Sequence, residues 1–522
     1  MAEKDYQPIY ILPEGSQRDS GKSAQKSNIM AAKLVAETIR TTLWPKGMDK
    51  MLVGGGGEIT ITNDGVTILE EMSITHPSAR MVVEIAKTQE SEVGDGTTTA
   101  VVLAGELLKN AEKLLDSNVH PTILAKGYRQ AAGKALEILE KMALPVTAKD
   151  TENLKKIAMT AMTGKGAEAS KERLAEVAVA AVRKVTDDHI SKEDIRIQKQ
   201  VGGQGSELIE GIVIDKEKSH SEMPRKVKDA KIALVDSAIE VRSPDTQAKI
   251  QITDPSQLES FIDREEKIIK DMVERIMASG CNVLLCQKGI DDIAQHMLAK
   301  KGIFAARRVK KSDMDAVAKA TSGKIVTNLK DLAPEDLGKA GIVEQAAISD
   351  EQMIMIKECD NPKSVTVLLK GATIHVVDEI KRAMEDAIGD ICAALNTGKL
   401  VAGAGAPEIE ISRGLRKFAD TLSGREQLAV RAFADSLEII PKTLAENAGM
   451  DPIDIMTELK AAHEKGKAWA GLEIYTGKVV DSWEEGILEP WKIKTQAISS
   501  ASEVAEMILR IDDVITCGKV SE

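Results

Sequence analysis

The stretch SEVGDGTTTAVVLAGELLKNAEKLL, Ser91 to Leu115, sets two glycines around an aspartate and three threonines directly ahead of an apolar run. Val101, Val102, Leu107, Leu108, Leu114 and Leu115 recur near helical spacing, with Glu106, Lys109 and Lys113 between them, which predicts an amphipathic helix. The first half is then the N-terminus of that helix, where backbone N–H groups lack partners and a partial positive charge collects. Gly94 and Gly96 permit the tight backbone that lets an anion come close, and phosphate is the natural guest. Asp95 suits a magnesium ion bridging phosphate oxygens, and the hydroxyls of Thr97, Thr98 and Thr99 add donors. A glycine turn followed by a threonine N-cap explains the same letters without a ligand. No Gly-Lys-Ser/Thr follows, so the segment is not a Walker A loop.

A chain of 522 residues exceeds what one core supports, and two to four domains are expected. The apolar fraction is 43% but aromatics reach only 2%, so the cores must be aliphatic, with methionine filling gaps. A net charge of −12 argues against nucleic acid as a partner and for a soluble, self-repelling surface. The first residues, MAEKDYQPIYILPEG, show no secretory pattern, and no apolar run nears the roughly 18 to 20 residues that span a bilayer, so a cytoplasmic protein without a membrane partner is expected. Cys281 and Cys286 in CNVLLC read as structural residues on a buried strand, since zinc would require a second close pair. The seven histidines form no HExxH, and His76, His120 and His296 read as ordinary surface or core residues.

From Ser27 to about Pro145 the pattern is helical, broken by MLVGGGGEITITNDGVTIL. There the alternation in EITITNDGVTIL and the glycines Gly54 to Gly57 predict a β-hairpin with a flexible tip. Helix continues from about Thr147 to Asp187. Strands and helices then alternate through KIALVDSAIEV, CNVLLCQKG, GIFAARRV and SVTVLLKG, the mark of an α/β unit. Inside it lies a charged insertion whose second half, Leu258 to Met277, is an amphipathic helix; a surface helix on a local core accounts for that periodicity equally well. Long helices return after Gly371, interrupted by a short strand pair in GLEIYTGKVVD. Helix, α/β and helix again suggest a middle inserted between two ends that form one domain.

Three segments, ITNDGVTILEEMSITHP (Ile61 to Pro77), QESEVGDGT (Gln89 to Thr97) and SGREQLAVRAFADSLEIIPKTLAENAG (Ser423 to Gly449), closely resemble the chaperonins of the archaeal thermosome and eukaryotic CCT type. The resemblance runs through nearly the entire chain. It implies a multi-domain α+β chaperonin fold and an ATP-driven folding chamber of two stacked rings. The implied partners are unfolded or partly folded proteins, further copies of the chain and paralogous subunits. Residues 1–145 and 401–522 would form a mainly helical equatorial domain that binds ATP and makes ring contacts, and 146–214 with 367–400 an intermediate hinge. Residues 215–366 would form an α/β apical domain for substrate, with a lid protrusion at about 242–277.

The resemblance also assigns candidate residues. Asp95 matches a magnesium ligand, and Gly96, Thr97, Thr98 and Thr99 match the phosphate cradle. Asp64 matches a carboxylate near the γ-phosphate, although Asn63-Asp64-Gly65 alone reads as a turn. In IHVVDEIKRAMEDAIGDI, Asp378, Asp386 and Asp390 look alike by composition; the family pattern selects Asp386 as the residue that positions or activates the attacking water, a role that phosphoryl transfer requires. Asp386 and Asp95 are far apart in sequence, so a hinge movement could complete the site. Gly164 and Lys165 of TGKG match a loop that senses the γ-phosphate, while an exposed loop lysine is the plain alternative. Leu43, Trp44 and Pro45 of TLWPKG belong to the first nucleotide segment. Ala404 and Gly405 of VAGAGAPE, with Glu489 and Lys494 of LEPWKIK, match positions close to ribose and base. ATP and magnesium are the implied cofactors, with potassium as a further candidate ion.

The sequence departs from the family pattern at Trp44 and Ala404, where glycine is usual, and at VGGGGEI, where an acidic residue and larger side chains are usual. Trp44 would crowd the nucleotide, stack on the adenine or swing away. A glycine-rich hairpin tip costs more entropy to order, which would weaken assembly or leave the loop mobile. The competing readings are a ring-forming holdase whose ATP use is impaired by Trp44 and Ala404, and an unrelated monomeric phosphotransferase.

Overall fold

A computed structural model of the chain describes residues 17–43, 45–165, 170–185, 190–202, 205–241, 255–348, 351–359 and 363–516. Two compact units emerge, one built from both chain ends, Met1–Glu168 with Gly389–Glu522, the other from Ala169–Ile388.

In the first unit the order is β1 (Gln17–Ser20), α1 (Lys22–Arg40), β2 (Lys50–Val53), β3 (Ile59–Thr62), α2 (Gly65–Glu71), α3 (Pro77–Glu92), α4 (Thr97–Asp116), α5 (Pro121–Met142), β4 (Leu144–Pro145) and α6 (Thr151–Met162). Helix starts follow a repeated device. His76 before Pro77, His120 before Pro121 and Asp451 before Pro452 each accept a backbone N–H two residues on, and the proline supplies a preset φ where no N–H is needed. The predicted hairpin is present as β2 paired antiparallel with β3, but it stops at Thr62. GVTIL is not strand: Asp64 accepts the Thr67 N–H at 2.9 Å and caps a helix there. A side-chain oxygen that satisfies a first-turn donor decides the local state over the alternation of VTIL.

The second unit runs α7 (Lys171–Val185), β5 (Ile195–Val201), β6 (Glu207–Ile209), β7 (Gly211–Ile214), β8 (Lys226–Val235), α8 (Pro255–Ala278), β9 (Val283–Cys286), α9 (Asp292–Lys300), β10 (Phe304–Ala306), α10 (Lys311–Thr321), β11 (Ile325–Val326), β12 (Gly338–Ile348), β13 (Glu351–Lys357) and β14 (Val365–Gly371). Its larger sheet has the order β10-β9-β8-β12-β13-β7, with β11 also on β8. The β8, β9 and β10 pairings are parallel, as the α/β reading expects, whereas β12, β13 and β7 add an antiparallel half. Alternation sorts the two faces. Ile232, Leu234, Val283 and Leu285 pack with Met314 and Val317 of α10, while Ala233, Val235, Leu284 and Cys286 pack with Ile269 and Val273 of α8 and Leu298 of α9. Cys281 and Cys286 are buried free thiols whose titration burial pushes up, in keeping with a structural role. The amphipathic helix expected at Leu258–Met277 is α8; residues 242–254 of the proposed lid segment lie outside the described residues. β5, β14 and β6 form a separate three-stranded sheet.

Helix α11 (Ile374–Thr397) leads back into the first unit, which continues with β15 (Lys399–Ala402), α12 (Ala406–Ala419), α13 (Glu426–Leu437), α14 (Ile439–Asn447), α15 (Pro452–Glu464), β16 (Ala470–Glu473), β17 (Lys478–Asp481), β18 (Leu488–Pro490), α16 (Trp491–Leu509) and β19 (Asp513–Thr516). β19 pairs with β1, so the two ends of the described chain close one small sheet. α4 lies in the middle of the helical core. Its first half is buried on nearly every side rather than amphipathic, and the polar stripe of Glu106, Lys109 and Lys113 belongs to its later turns. Small residues set the spacing between helices: a Cβ on Gly105 would lie 2.2 Å from the Ala36 Cβ, and one on Gly127 2.4 Å from the Ala429 Cβ. Tyr128 fills the remaining centre, packing edge-on to Phe433 at 5.5 Å and donating its hydroxyl to the Leu107 carbonyl at 2.7 Å.

At the β2–β3 tip only Gly57 has a positive φ, +85°, while a Cβ on Gly55 or Gly56 would meet nothing within 4 Å. Gly55→Ala combined with Gly56→Ala is therefore expected to raise stability by about 0.4 to 1 kcal/mol per site through the unfolded chain. Gly57→Ala is expected to lower it by about 1 kcal/mol. Thermal unfolding of the variants checks both signs.

Candidate functional site

The glycine loop between α3 and α4 takes the form its letters suggested. Gly94 (φ 97°) and Gly96 (φ 79°) are left-handed, and Gly96 is the N-cap of α4. No side chain caps this helix, so the threonine-cap alternative is not what forms. Asp95 folds its Oδ1 back onto the Gly96 N–H at 2.7 Å. Gln89, fully buried, donates Nε2 to the Asp95 carbonyl at 2.9 Å and to the Ile493 carbonyl at 3.3 Å, fastening the loop to α16. A Cβ on Gly96 would stand 2.7 Å from Ile493 Cγ2, so glycine is required there for space as well as for φ.

Asp64 sits beside this loop. A Cβ on its neighbour Gly65 would lie 2.7 Å from Thr98 Oγ1 and 3.2 Å from Thr97 Oγ1. Its carboxylate also accepts the Thr67 hydroxyl at 2.6 Å, which orients it on the first turn of α2. Trp44 lies outside the described residues, but its flanks are well anchored. Asn447 donates Nδ2 to the Arg40 and Leu43 carbonyls at 3.3 and 3.0 Å, and Gly47 passes so close to the chain that a Cβ there would be 2.3 Å from the Thr42 carbonyl oxygen. Sequence reasoning had not assigned Gln89 or Asn447 a role. Both stand inside quoted motifs, QESEVGDGT and LAENAG, but with polar residues beside them nothing in the local sequence marks either amide as a loop anchor.

A second helix start resembles the first. Gly405 (φ 79°) caps α12, again without a side-chain cap, and Ala404 before it adopts φ 58°. Alanine thus takes the left-handed conformation that glycine would, at a cost of about 1 kcal/mol. The Leu472 N–H of β16 donates to the Ala404 carbonyl at 3.0 Å. β16 is in turn pinned by the buried His463, whose Nε2 is 2.9 Å from the Ala470 carbonyl and whose Nδ1 is 2.9 Å from Glu410 on α12. Burial acts to raise the Glu410 carboxyl, but the hydrogen bonds and charges of His463 and Arg413 outweigh it and bring it down to about 2.

Glu489 and Lys494 approach the same loop. A Cβ on Gly403 would be 2.5 Å from Glu489 Oε1. The Lys494 ammonium is buried, 2.8 Å from both Glu408 and Glu489. Thr99, Glu408 and Lys494 line one cavity, so the starts of α4, α12 and α16 converge. Gly164 (φ 78°) and the buried Lys165 follow α6, whose Thr160 Oγ1 accepts the Leu488 N–H at 3.2 Å, one residue from Glu489. Asp386 is half-buried on α11 and belongs to the second unit, whereas Asp390 is buried and belongs to the first. The described residues contain no cluster of three or more His, Cys, Asp or Glu able to hold a metal by themselves.

Glu410 gives a pH-dependent test. Its carboxyl is depressed on folding, so it contributes stability above the ordinary carboxylate pKa of 4.5, and that contribution is lost as pH falls from there toward about 2. Glu410→Gln should cost about 1 to 3 kcal/mol at neutral pH, and its deficit against the parent should shrink across that window in thermal unfolding scans.

The chain is similar to known proteins along nearly its whole length. Residues 35–519 match the model of the TCP-1/cpn60 chaperonin family. Thermosome subunit beta of Archaeoglobus fulgidus is 58% identical over 522 residues, spanning 99% of this chain and 96% of that protein. Thermosome subunit beta of Methanothermobacter thermautotrophicus is 59% identical over 515 residues, spanning 98% and 95%. Among solved structures, the open-state monomer of a group II chaperonin from Methanococcoides burtonii is 48% identical, with a TM-score of 0.62, covering 80% of this chain and all of that one. The chain belongs to the TCP-1/cpn60 chaperonin family.

Proposed function

We propose that this protein is an ATP-hydrolysing chaperone subunit that encloses unfolded polypeptides in a double-ring chamber closed by its own lid. The observation that carries this reading is the uncapped start of α4 at Asp95-Gly96-Thr97, beside Asp64 and the second uncapped start at Ala404-Gly405. Both helix N-termini present a positive dipole end to a polyphosphate, and α4 adds the backbone donors of Thr97 to Thr99; at α12 the Ala406 N–H is bonded to the Gly403 carbonyl and Pro407 has none.

Asp95 would hold magnesium, with Asp64 beside the γ-phosphate. Magnesium usually takes one or two protein carboxylates and completes its shell with phosphate oxygens and water, and Asp95 at the turn with Asp64 beside the threonine hydroxyls fits that demand. When bound, magnesium would neutralise charge on the phosphates. Leu43, Trp44 and Pro45 would border the nucleotide, Thr97 to Thr99 would donate to phosphate, and Gly164 and Lys165 would follow the γ-phosphate. Ala404, Gly405 and Glu489 would face the sugar and base. Asp386 would orient the attacking water, arriving with the hinge.

We assign residues 1–145 and 401–522 to the equatorial domain, 146–214 and 367–400 to the hinge, and 215–366 to the apical domain, with α8 as part of the lid. Self-association into stacked rings, co-assembly with paralogous subunits, potassium as a further ion and a cytoplasmic location complete the proposal. No helix among the described residues is long and apolar enough to cross a membrane.

The impaired-holdase alternative is not favoured. Ala404 adopts the left-handed turn and keeps the hydrogen bond from Leu472, so its methyl group leaves the loop formed. The parent is therefore expected to turn over ATP, and Trp44→Gly to change the rate only a few-fold. A silent parent revived by Trp44→Gly would reinstate that alternative. Asp386→Ala is expected to keep nucleotide binding while hydrolysis falls by roughly 100-fold or more. Asp95→Ala is expected to weaken magnesium-dependent nucleotide binding in calorimetry. Unchanged hydrolysis in Asp386→Ala would move the water-orienting role elsewhere.

A further inference from the structure

Lys494 is a buried cation where the starts of α4, α12 and α16 converge. Its Nζ is 2.8 Å from Glu408 and 2.8 Å from Glu489, and the three side chains are 8%, 5% and 20% exposed. Two carboxylates thus share one buried ammonium. Burial works against the Lys494 charge, but Glu408 and Glu489 outweigh it and hold the group protonated. Burying such a triad costs desolvation energy that apolar residues of the same volume would avoid, so its value lies elsewhere than in stability. Its geometry points to orientation: Glu489 is gripped through Oε2, while its Oε1 lies against Gly403, 2.5 Å from where a Cβ would stand. Glu408 comes from the first turn of α12 and Lys494 from the first turn of α16, so the grip spans two helix starts and β18.

We infer that Lys494 and Glu408 are positioning residues of the nucleotide site: Lys494 does not touch the nucleotide but holds Glu489 over Gly403, and Glu408 keeps Lys494 in place. The inference rests on the nucleotide-site reading above. It opposes the simpler assignment of Lys494 as a direct ligand, and the two differ in sign. If Lys494 met the phosphates or sugar itself, neutralising its competitor Glu408 would leave ATP affinity unchanged or improved. If it positions Glu489, the same change loosens the grip and weakens ATP.

The test is steady-state ATP hydrolysis with thermal unfolding on the assembled protein for Glu408→Gln, Lys494→Met and the double variant Glu408→Leu with Lys494→Met. The expected result is a KM for ATP raised roughly tenfold or more in each, with kcat changed far less. The double variant removes both charges and should recover the thermal stability that Lys494→Met loses, while its KM stays high. A purely structural role predicts that KM returns to the parent value along with stability, and that outcome overturns the inference. An unchanged or lowered KM in Glu408→Gln overturns it as well. A parent that binds no ATP would instead overturn the nucleotide-site reading beneath it.

Discussion

A helix buried along its first half must find polar company for the N–H groups at its start, and α4 is such a helix. Its flanks are closed by α1, α3, α13 and α16, and its N-cap is a left-handed glycine with no side chain to offer. No serine, threonine or aspartate side chain stands at the N-cap itself; the Asp95 carboxylate one residue earlier takes only the Gly96 N–H. The surrounding residues are arranged around the resulting need. Gln89 holds the loop from behind, the neighbour of Asp64 abuts the threonine hydroxyls, and Asp95 lies at the turn. α12 starts close by with its own left-handed glycine, but there the Ala406 N–H is bonded to the Gly403 carbonyl and Pro407 has none, so the backbone donors are concentrated at α4.

That core achieves closeness with little aromatic bulk beyond Tyr128 and Phe433. Glycines at 105 and 127 let α4 approach α1 and α5 approach α13, leaving no room for a methyl group. Dispersion contacts across such short spacings are numerous, and they fix the helices in register. The consequence for the site is rigidity: Thr97, Thr98 and the loop ahead of them are held by the same contacts that hold the fold. Several polar groups in or beside that core, Gln89, Asn447, His463 and the Glu408–Lys494–Glu489 triad, serve loops near those helix starts.

How much of this was legible depended on whether the signal was local. The phosphate loop was readable because glycine, aspartate and threonine ahead of an apolar run have few uses. The β8, β9 and β10 strands were readable because alternating strand and helix impose a parallel order. GVTIL was misread as strand, since its alternation is real and only the carboxylate of Asp64 tips it to helix. The antiparallel half of the larger sheet was harder to read: KAGIVEQAAI and EQMIMIK pair locally, Ile348 opposite Glu351, but the Ser349-Asp350 between them carries no glycine or asparagine turn signal, and their pairings with β8 and β7 cross long connections. Glu408 went unnoticed, because a glutamate in a helical stretch reads as surface until the fold brings Lys494 beside it. Long-range pairing of charge is invisible to spacing, and the family resemblance supplied candidate roles there without supplying the contacts.

In the proposed cycle, nucleotide chemistry at these helix starts drives closure of an assembled chamber. Electron microscopy of the purified protein, imaged without nucleotide and then with magnesium and ATP, tests it most directly. Stacked double rings are expected, open without nucleotide and closed with it. Dispersed monomers, or rings whose ends stay open in magnesium and ATP, would contradict it.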